Sequence, residues 1–471
     1  MEIIQDLARA RRIKIYLVGG FLRNYFLGRS VKRNEVLDFD FAVSRDALKV
    51  ARLFARRIKG AFVLLDQGRG CARVVKKERP GTLIFDFADF RARTLRGDLA
   101  HRDFTINALC VDIQDLGKIT DLFKILLNFK RSARDLKAKT IRMVSRRSFK
   151  EDPLRLMRAF SLKAAFDLTI EPKTLKRIKQ DRDLLKSVSS ERVRDELFKI
   201  LATSRAAENL KAMDRIGLLS VVIPQIRVMY DVPQGGYHHL DVWPHSLETV
   251  HQLEKVFLKL KGPEDLWAYL NEKLGGDHPR FALMKLAALL HDIGKPETKK
   301  QEKDRMSFHG HEHVGKSIVR HVARMLKISR RECYCLEDMV RWHLRPGYLS
   351  DFKNPSERSI FRYFRDTKEE AVGILLLSLA DQRSTRGPLT SEEDQRHHER
   401  IVMRLIDKYF KEKRKKPFVR LINGHDLINE LKLMPSPLFA KILKAVEEKQ
   451  VVGEIETREE ALEFARGIVE R

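Results

Sequence analysis

The chain has 471 residues, 43% of them hydrophobic, enough for roughly two to four domains with well-buried cores. Its 93 Lys and Arg against 65 Asp and Glu give a net charge of +28, an excess that points to a polyanionic partner. No apolar run approaches a transmembrane helix, residues 1–6 lack a signal-peptide pattern, and four scattered cysteines exclude a disulfide framework, so RNA in the cytoplasm is expected rather than a membrane surface.

In chain order, short strands are expected at 14–18, 37–43, 62–66, 72–76, 83–88 and 108–113, with helical apolar spacing over 45–59. Gly19-Gly20 closes the first strand with a turn where backbone can approach a phosphate. The second strand contains Asp38-Phe39-Asp40, and alternation sends both aspartates to one face. Two carboxylates held that close repel unless a cation lies between them, as Mg²⁺-dependent phosphoryl or nucleotidyl transfer requires. Two solvated acids on an exposed strand are the plainer reading. After about residue 130 the strand signal ends, and helices are expected over 152–166, 172–186, 190–203, 206–217, 245–261, 280–290 and onward. The fold class is therefore α+β: a head with a mostly antiparallel sheet, then helical domains. Boundaries are expected near 142–149, 232–239 and 386–391, and the basic run 411–416 reads as a solvated linker or an RNA contact.

Four ordered motifs carry a resemblance. Gly19-Gly20-Phe21-Leu22-Arg23-Asn24 and Leu37-Asp38-Phe39-Asp40-Phe41 form the first. His101-Arg102-Asp103-Phe104-Thr105-Ile106-Asn107-Ala108 is the second, Glu151-Asp152-Pro153-Leu154-Arg155-Leu156-Met157-Arg158 the third, and Glu191-Arg192-Val193-Arg194-Asp195-Glu196 the fourth. Together they resemble the class II nucleotidyltransferases, which comprise tRNA CCA-adding enzymes and bacterial poly(A) polymerases. The resemblance implies a nucleotidyltransferase head over 1–142 and an all-α neck and body, binding nucleotide and RNA, over 143–231. It implies that Asp38 and Asp40 hold Mg²⁺, with Asp86 as a third catalytic carboxylate and Asp89 as its competitor. Gly19, Gly20 and Arg23 are implied to hold triphosphate oxygens. Arg102, Asp103 and Asn107 are implied to meet the incoming nucleotide, where a carboxylate near the ribose selects for the 2′-hydroxyl. Asp152 and Arg155, behind Pro153 in a first helical turn and with Arg158 beyond, offer an acceptor and a fork of donors to the edge of cytosine or adenine. An ordinary helical salt bridge is the alternative for that pair. Asn24, His101 and Ser161 depart from the usual Asp, Arg and Arg. The Gly-Gly expected after Asp121-Leu122-Phe123, at the family's hinge, is missing, and the segment 124–134 is lengthened.

His245, His291-Asp292-Ile293-Gly294-Lys295, His311, His343 and Asp381, each at a helix end, resemble the HD-domain phosphohydrolases. The resemblance implies an all-α HD domain over 232–390, whose His245, His291, Asp292, His311, His343 and Asp381 bind Mn²⁺, Ni²⁺, Fe²⁺ or Mg²⁺. His238, His239, His309 and His313 read as structural or surface residues. Residues 391–471 are implied to be a helical tail contacting the tRNA acceptor arm, with Asp426 capping a helix after an Asn-Gly turn.

The activity implied is template-independent addition of C and A residues to the tRNA 3′ end from CTP and ATP, with release of pyrophosphate. Only residues 90–99 separate Asp89 from Ala100-His101-Arg102, where full CCA-adding enzymes carry a flexible loop. That trimming favours CC addition; full CCA addition follows if 124–134 replaces the loop. A poly(A) polymerase shares the head motifs but not the HD set. An HD phosphohydrolase with a degenerate RNA-binding head is the further alternative, disfavoured by the intact head motifs.

Overall fold

The computed structural model describes residues 1–28, 36–78, 81–118, 122–127, 129, 131–235, 239–260, 264–302, 305–387, 390–414 and 419–470. The chain divides into two units, residues 1–200 with 212–222 and residues 201–211 with 223–471.

In the first unit the apolar and aromatic runs form six strands: β1 (Ile15–Val18), β2 (Val36–Val43), β3 (Ala61–Asp66), β4 (Cys71–Glu78), β5 (Gly81–Asp89) and β6 (Cys110–Asp112). They make one sheet of order β3-β4-β5-β2-β1-β6, antiparallel throughout except for the β2–β5 pair. Around it lie α1 (Glu2–Arg11), α2 (Gly20–Phe26) and α3 (Ala47–Ile58). Phe54 of α3 meets Phe85 and Phe87 of β5 edge-on at 4.9 and 5.5 Å, and these stack on Phe39 and Phe41 of β2 at 5.3 and 5.0 Å. Each such pair adds about 0.5–1.5 kcal/mol beyond its buried area. The aromatic positions therefore face α3, and alternation turns Asp38, Asp40 and Asp86 to the opposite face of the sheet.

The strand signal does not end at residue 130, contrary to expectation. Thr140–Ile141 pairs parallel with Thr169–Ile170, whereas Lys273–Gly275 pairs antiparallel with His278–Pro279 and Lys300–Glu302 antiparallel with Arg305–Ser307. Pairs this short are held by tertiary context and leave no periodicity to read. The first of them crosses the boundary expected at 142–149. Arg142, beside it, donates to Asp135 at 2.9 Å and also binds Glu171, so the first unit continues into the helices Arg155–Phe166, Pro172–Asp181 and Ser190–Leu201. Asp121 of the expected hinge lies outside the described residues. Phe123 packs on Phe26 at 4.3 Å, and Leu127 bridges to Cys110 beside β1, so the lengthened segment returns to the sheet.

The second unit is helical. The helices Val242–Lys259, Arg280–Leu290, His311–Met325, Arg330–Trp342 and Ala371–Ser384 surround a core to which the last contributes a nearly continuous buried run from Ala371 to Ala380. The basic run begins within the helix Glu392–Lys413; Arg414 binds Asp265, while Lys415 and Lys416 lie outside the described residues. Further on, Ile422, Leu427, Ile442, Val446, Ile455, Ala461 and Ala465 form a separate small core. Asp426 accepts from Asn423 N–H at 2.7 Å, closing a reciprocal cap with the Asn423 side chain. Among the described residues no helix is long and apolar enough to cross a membrane. All four cysteines are free.

Candidate active site and candidate metal centre

Sheet register assembles the first cluster. Asp40 of β2 stands opposite Asp86 of β5, and Asp86 stands opposite Arg73 of β4. Carboxylate oxygens of Asp38, Asp40 and Asp86 lie within 4.8 Å of one another. Asp38 is exposed in surface area, yet desolvation of its carboxyl by neighbouring atoms first, then repulsion from Asp40 and Asp86, pushes it up to about 6. Burial also raises Asp40, although Arg102 and the Gly20 N–H favour its charged form. Arg73 donates from Nε and Nη2 to the two oxygens of Asp86, each at 2.8 Å. Asp89 is occupied elsewhere, accepting the Ala47 N–H at 2.9 Å at the start of α3. Crowded carboxylates that resist ionisation together are what a hard divalent cation relieves, so the donor set fits Mg²⁺.

The residues expected around the nucleotide divide into two groups. Gly19 adopts φ 80°, and a Cβ there would meet Arg102 Nη1 and Asp40 Oδ2, each at 3.1 Å. Arg102 thus lies against the glycine turn; its nearest acid is Asp98 at 3.6 Å, and its buried Nε has no hydrogen-bond partner. The glycine N–H groups, expected to hold phosphate, are engaged: Gly19 donates to Leu109 O at 3.2 Å and Gly20 to the Asp40 carboxylate. Arg23, expected beside them, is buried instead. It donates to Asn107 Oδ1 at 2.6 Å and Asn24 Oδ1 at 2.8 and 3.1 Å, and lies 4.6 Å over the Phe166 ring. A buried guanidinium needs acceptors, and Asn24 with Asn107 supplies them. Asn107 in turn donates to both Asp103 oxygens at 3.0 and 3.1 Å. Burial alone would raise Asp103; Arg158 at 3.3 Å, Asn107 and the Phe104 N–H outweigh it and hold the carboxyl low.

Asp152 and Arg155 are not paired in the expected way. Asp152 sits in extended conformation after the short helix Ser148–Glu151, and Arg155 begins the next helix. Arg155 is buried and donates to His101 O at 2.6 Å and to Ser148 O and Oγ at 3.1 and 2.9 Å. Asp152 faces Arg192 at 3.3 Å. One helical turn does not bring these groups together, because Arg155 satisfies main-chain carbonyls that are shielded from water. At the other departures, His101 meets Glu151 at 3.4 Å and Ser161 donates to buried Glu196 at 2.5 Å.

The second cluster is buried. His245, His291 and Asp381 form one set of donor atoms within 4.8 Å, and Asp292, His311 and His343 another. Asp292 links them, 3.2 Å from His291 Nε2 and 3.3 Å from His311 Nε2. Asp381 reaches His245 Nε2 at 2.9 Å. The outer nitrogens are fixed: Nδ1 of His291, His311 and His343 lies 2.9, 2.8 and 2.8 Å from the carbonyls of Ala288, Phe308 and Val340, and Nδ1 of His245 lies 3.2 Å from Ser384 Oγ. Each ring therefore directs Nε2 inward, the arrangement of a metal-binding imidazole held from behind. His291 Nε2 and Asp292 Oδ2 are both buried and face each other across the 3.2 Å contact. Burial opposes charge on His291, but Asp292 and Asp381 override it and raise the imidazole to about 10. Burial and the repulsion of His291 and His311 push His343 down to about 3. The N and O donors of the site fit a divalent transition metal or Mg²⁺.

Sequence reasoning missed Arg73, because the register of β4 on β5 is invisible in the chain. Arg192 and Lys295 stand within the sequence motifs, but only the fold gives them their partners Asp152 and Asp292. Lys295 Nζ lies 2.7 Å from Asp292 and donates to Gln234 Oε1 at 2.6 Å. Their motif membership was the available signal. Gly294 is also required, since a Cβ there would lie 2.1 Å from His311 O.

Four family models match the chain. A poly A polymerase head domain covers 15–142, a probable RNA- and SrmB-binding site of polymerase A 167–229, an HD domain 242–385, and a putative tRNA nucleotidyltransferase domain 2 411–465. An A-adding tRNA nucleotidyltransferase of Deinococcus radiodurans is 31% identical over 96% of this chain and 94% of its own length. The chain belongs to the tRNA nucleotidyltransferase family. A CC-adding relative from Thermus thermophilus is 30% identical over 95% of this chain and 92% of its own. Family membership accounts for both the head motifs and the HD set in one chain. The fold is shared with a CCA-adding enzyme solved with ATP, at TM-score 0.65 and 21% identity over 100% of this chain and 93% of that one. It is shared as well with the Thermotoga maritima CCA-adding enzyme complexed with tRNA, at TM-score 0.61 and 21% identity over 99% and 94%.

Proposed function

We propose that this member of the family adds cytidines to the 3′ end of tRNA and stops after two. The observation that carries nucleotidyl transfer is the cluster of Asp38, Asp40 and Asp86 beside the Gly19 turn, with Arg102 against it. The 3′-hydroxyl gives its proton to solvent as its oxygen bonds to the α-phosphorus of CTP, the bond from that phosphorus to the oxygen bridging to the β-phosphorus breaks, and pyrophosphate leaves. Asp38, Asp40 and Asp86 would hold divalent metal, which would supply charge neutralisation for the attacking and leaving oxygens. Arg102, with an unsatisfied Nε, meets the triphosphate. Asp103, kept ionised by Arg158 and Asn107, accepts from the ribose 2′-hydroxyl. Asp152 reads the base edge once Arg192 releases it, with Arg155 bracing the backbone behind it.

Support for stopping at two comes from the segment after β5. It is short and pinned: the Arg91 N–H donates to Asp98 at 3.1 Å, and Thr94 caps the helix Leu95–Ala100. A fixed segment cannot reshape the pocket between CTP and ATP. The relatives include both an A-adding and a CC-adding enzyme, so the decisive test is direct. The protein is given tRNA lacking its last three nucleotides, with CTP and ATP together. Two additions are expected, and efficient terminal adenosine incorporation overturns the CC reading alone.

A second activity has its own support in the buried His–Asp centre. Metal there would activate water against a phosphate ester, with Lys295 beside Asp292 orienting the carboxylate. Metal-dependent phosphatase or 2′,3′-cyclic phosphodiesterase activity, lost in His291→Ala with Asp292→Ala, is the readout.

A further inference from the structure

On the α3 side of the sheet, α1 and α3 border a groove of about 640 Å³. Its floor is Leu7, buried, and Leu53, half-buried; its lining includes the exposed Arg11, Arg45 and Arg57. Asp46, the acid in the lining, is engaged by Lys49 at 3.4 Å. Among the described residues none of these three arginines has a carboxylate partner, whereas Arg9, two residues before Arg11, binds Asp6 at 2.6 Å. Three guanidinium groups around one concavity repel each other, and an anion would relieve that repulsion. The neighbouring face of α3 adds Lys49, Arg52 and Arg56, spaced three and four residues apart, so positive charge runs along the helix. At twelve residues α3 is about 18 Å long, which matches several phosphates of a nucleic-acid strand better than one nucleotide.

The groove cannot be part of the carboxylate site. Phe54, Phe85 and Phe87 fill the layer between α3 and the sheet, and Asp38, Asp40 and Asp86 point to the other face.

We propose that the α1–α3 groove is a second RNA-binding surface, gripping the sugar-phosphate backbone away from the catalytic face. The arginines form charge-assisted, forked contacts to phosphate oxygens. The leucine floor accommodates ribose carbon atoms. Such contacts carry no sequence information; they add affinity that falls as salt rises.

The test measures binding of a tRNA transcript, without CTP or ATP, by fluorescence anisotropy over a range of salt. The triple variant Arg11→Gln, Arg45→Gln, Arg57→Gln should bind about tenfold or more weakly at low salt, and its salt slope should fall by about 2 to 3. Arg9→Gln should bind like the wild type. If the triple variant does not fold, photo-cross-linking of 4-thiouridine tRNA to the wild type decides, with cross-links expected on peptides containing Arg11, Arg45 or Arg57. Unchanged affinity and slope in a folded triple variant, or cross-links confined to other peptides, overturns the proposal. So does loss of binding to phosphatidylserine vesicles with tRNA affinity intact, which would make the surface a membrane contact. Binding is read apart from catalysis. A wild type that adds no nucleotide yet loses RNA affinity in the triple variant sinks the transferase reading and leaves this one standing.

Discussion

Asp38, Asp40 and Asp86 stand on adjacent strands with Asp38 exposed to solvent, whereas His245, His291, Asp292, His311 and His343 are buried at helix ends. The first cluster is left with carboxylates in conflict, tempered by Arg73 on one side and Arg102 on the other. In the second, carboxylates and imidazoles compensate each other, and main-chain carbonyls or a hydroxyl hold every ring from behind. The contrast follows from the ions each site suits. Mg²⁺ shares its coordination with waters and substrate phosphates, so an open, incompletely satisfied carboxylate pair is appropriate. A metal held by imidazole nitrogens takes most of its ligands from the protein, so the site is ordered beforehand and closed around it.

The sharpest way to break this comparison is to empty one site and read the other. Asp40→Ala should lower nucleotide incorporation by about a thousandfold or more while leaving tRNA binding and any hydrolysis at the His–Asp centre intact. Parallel loss of both activities would mean the two clusters are not independent. Next in size is an effect on stability. Asp292→Ala strips the buried partner from His291 and Lys295 and should cost about 3–5 kcal/mol in metal-free denaturant unfolding; a cost below 1 kcal/mol would show that the buried charges rearrange freely.

Metal addition gives an intermediate effect. Mn²⁺ at about a hundred times its Kd should stabilise the wild type by about 2.7 kcal/mol. The shift in Tm should survive in Asp38→Ala and disappear in His291→Ala; the reverse pattern would assign tight binding to the open cluster. The smallest effect concerns pH in chelator. Asp38 is raised from 3.8 to about 6 in the folded chain, so between those values the folded state binds more protons than the unfolded one. Stability contributed at this position therefore declines as pH rises through roughly 4 to 6, and Asp38→Asn should remove the decline. Because Asp38 is exposed, solvent screening keeps the gain of Asp38→Asn at pH 7 below about 1 kcal/mol. A loss of stability in that variant would show that the carboxylates are not in conflict.

Much of both clusters was legible before folding was considered. Alternation with period two places Asp38 and Asp40 on one face whatever else the chain does. The HD set was readable because the order of its His and Asp residues along the chain resembles that of the HD-domain phosphohydrolases. Asp86 and Asp89, three apart on one strand, point to opposite faces, and only the pairing of β5 with β2 decides between them, setting Asp86 beside Asp40 and leaving Asp89 to Ala47. Arg23 and Arg155 mark the limit most clearly. Both belong to motifs that imply ligand contact, yet both turn their guanidinium groups inward.

What the sequence by itself determined is the set of local periodicities and residue types: which carboxylates share a face, which imidazoles end helices, and that the chain carries a large positive excess. Tertiary structure alone decided which of the arginines are buried against partners and which stay at the surface. A buried guanidinium takes whichever carbonyls, amides or carboxylates long-range packing brings within reach, because leaving its donors unsatisfied costs more than losing a solvent-facing position. Arg23 and Arg155 were claimed in that way by residues 84 and 54 positions distant. Arg11, Arg45 and Arg57 were left at the surface, where the neighbouring Asp46 is engaged by Lys49 instead.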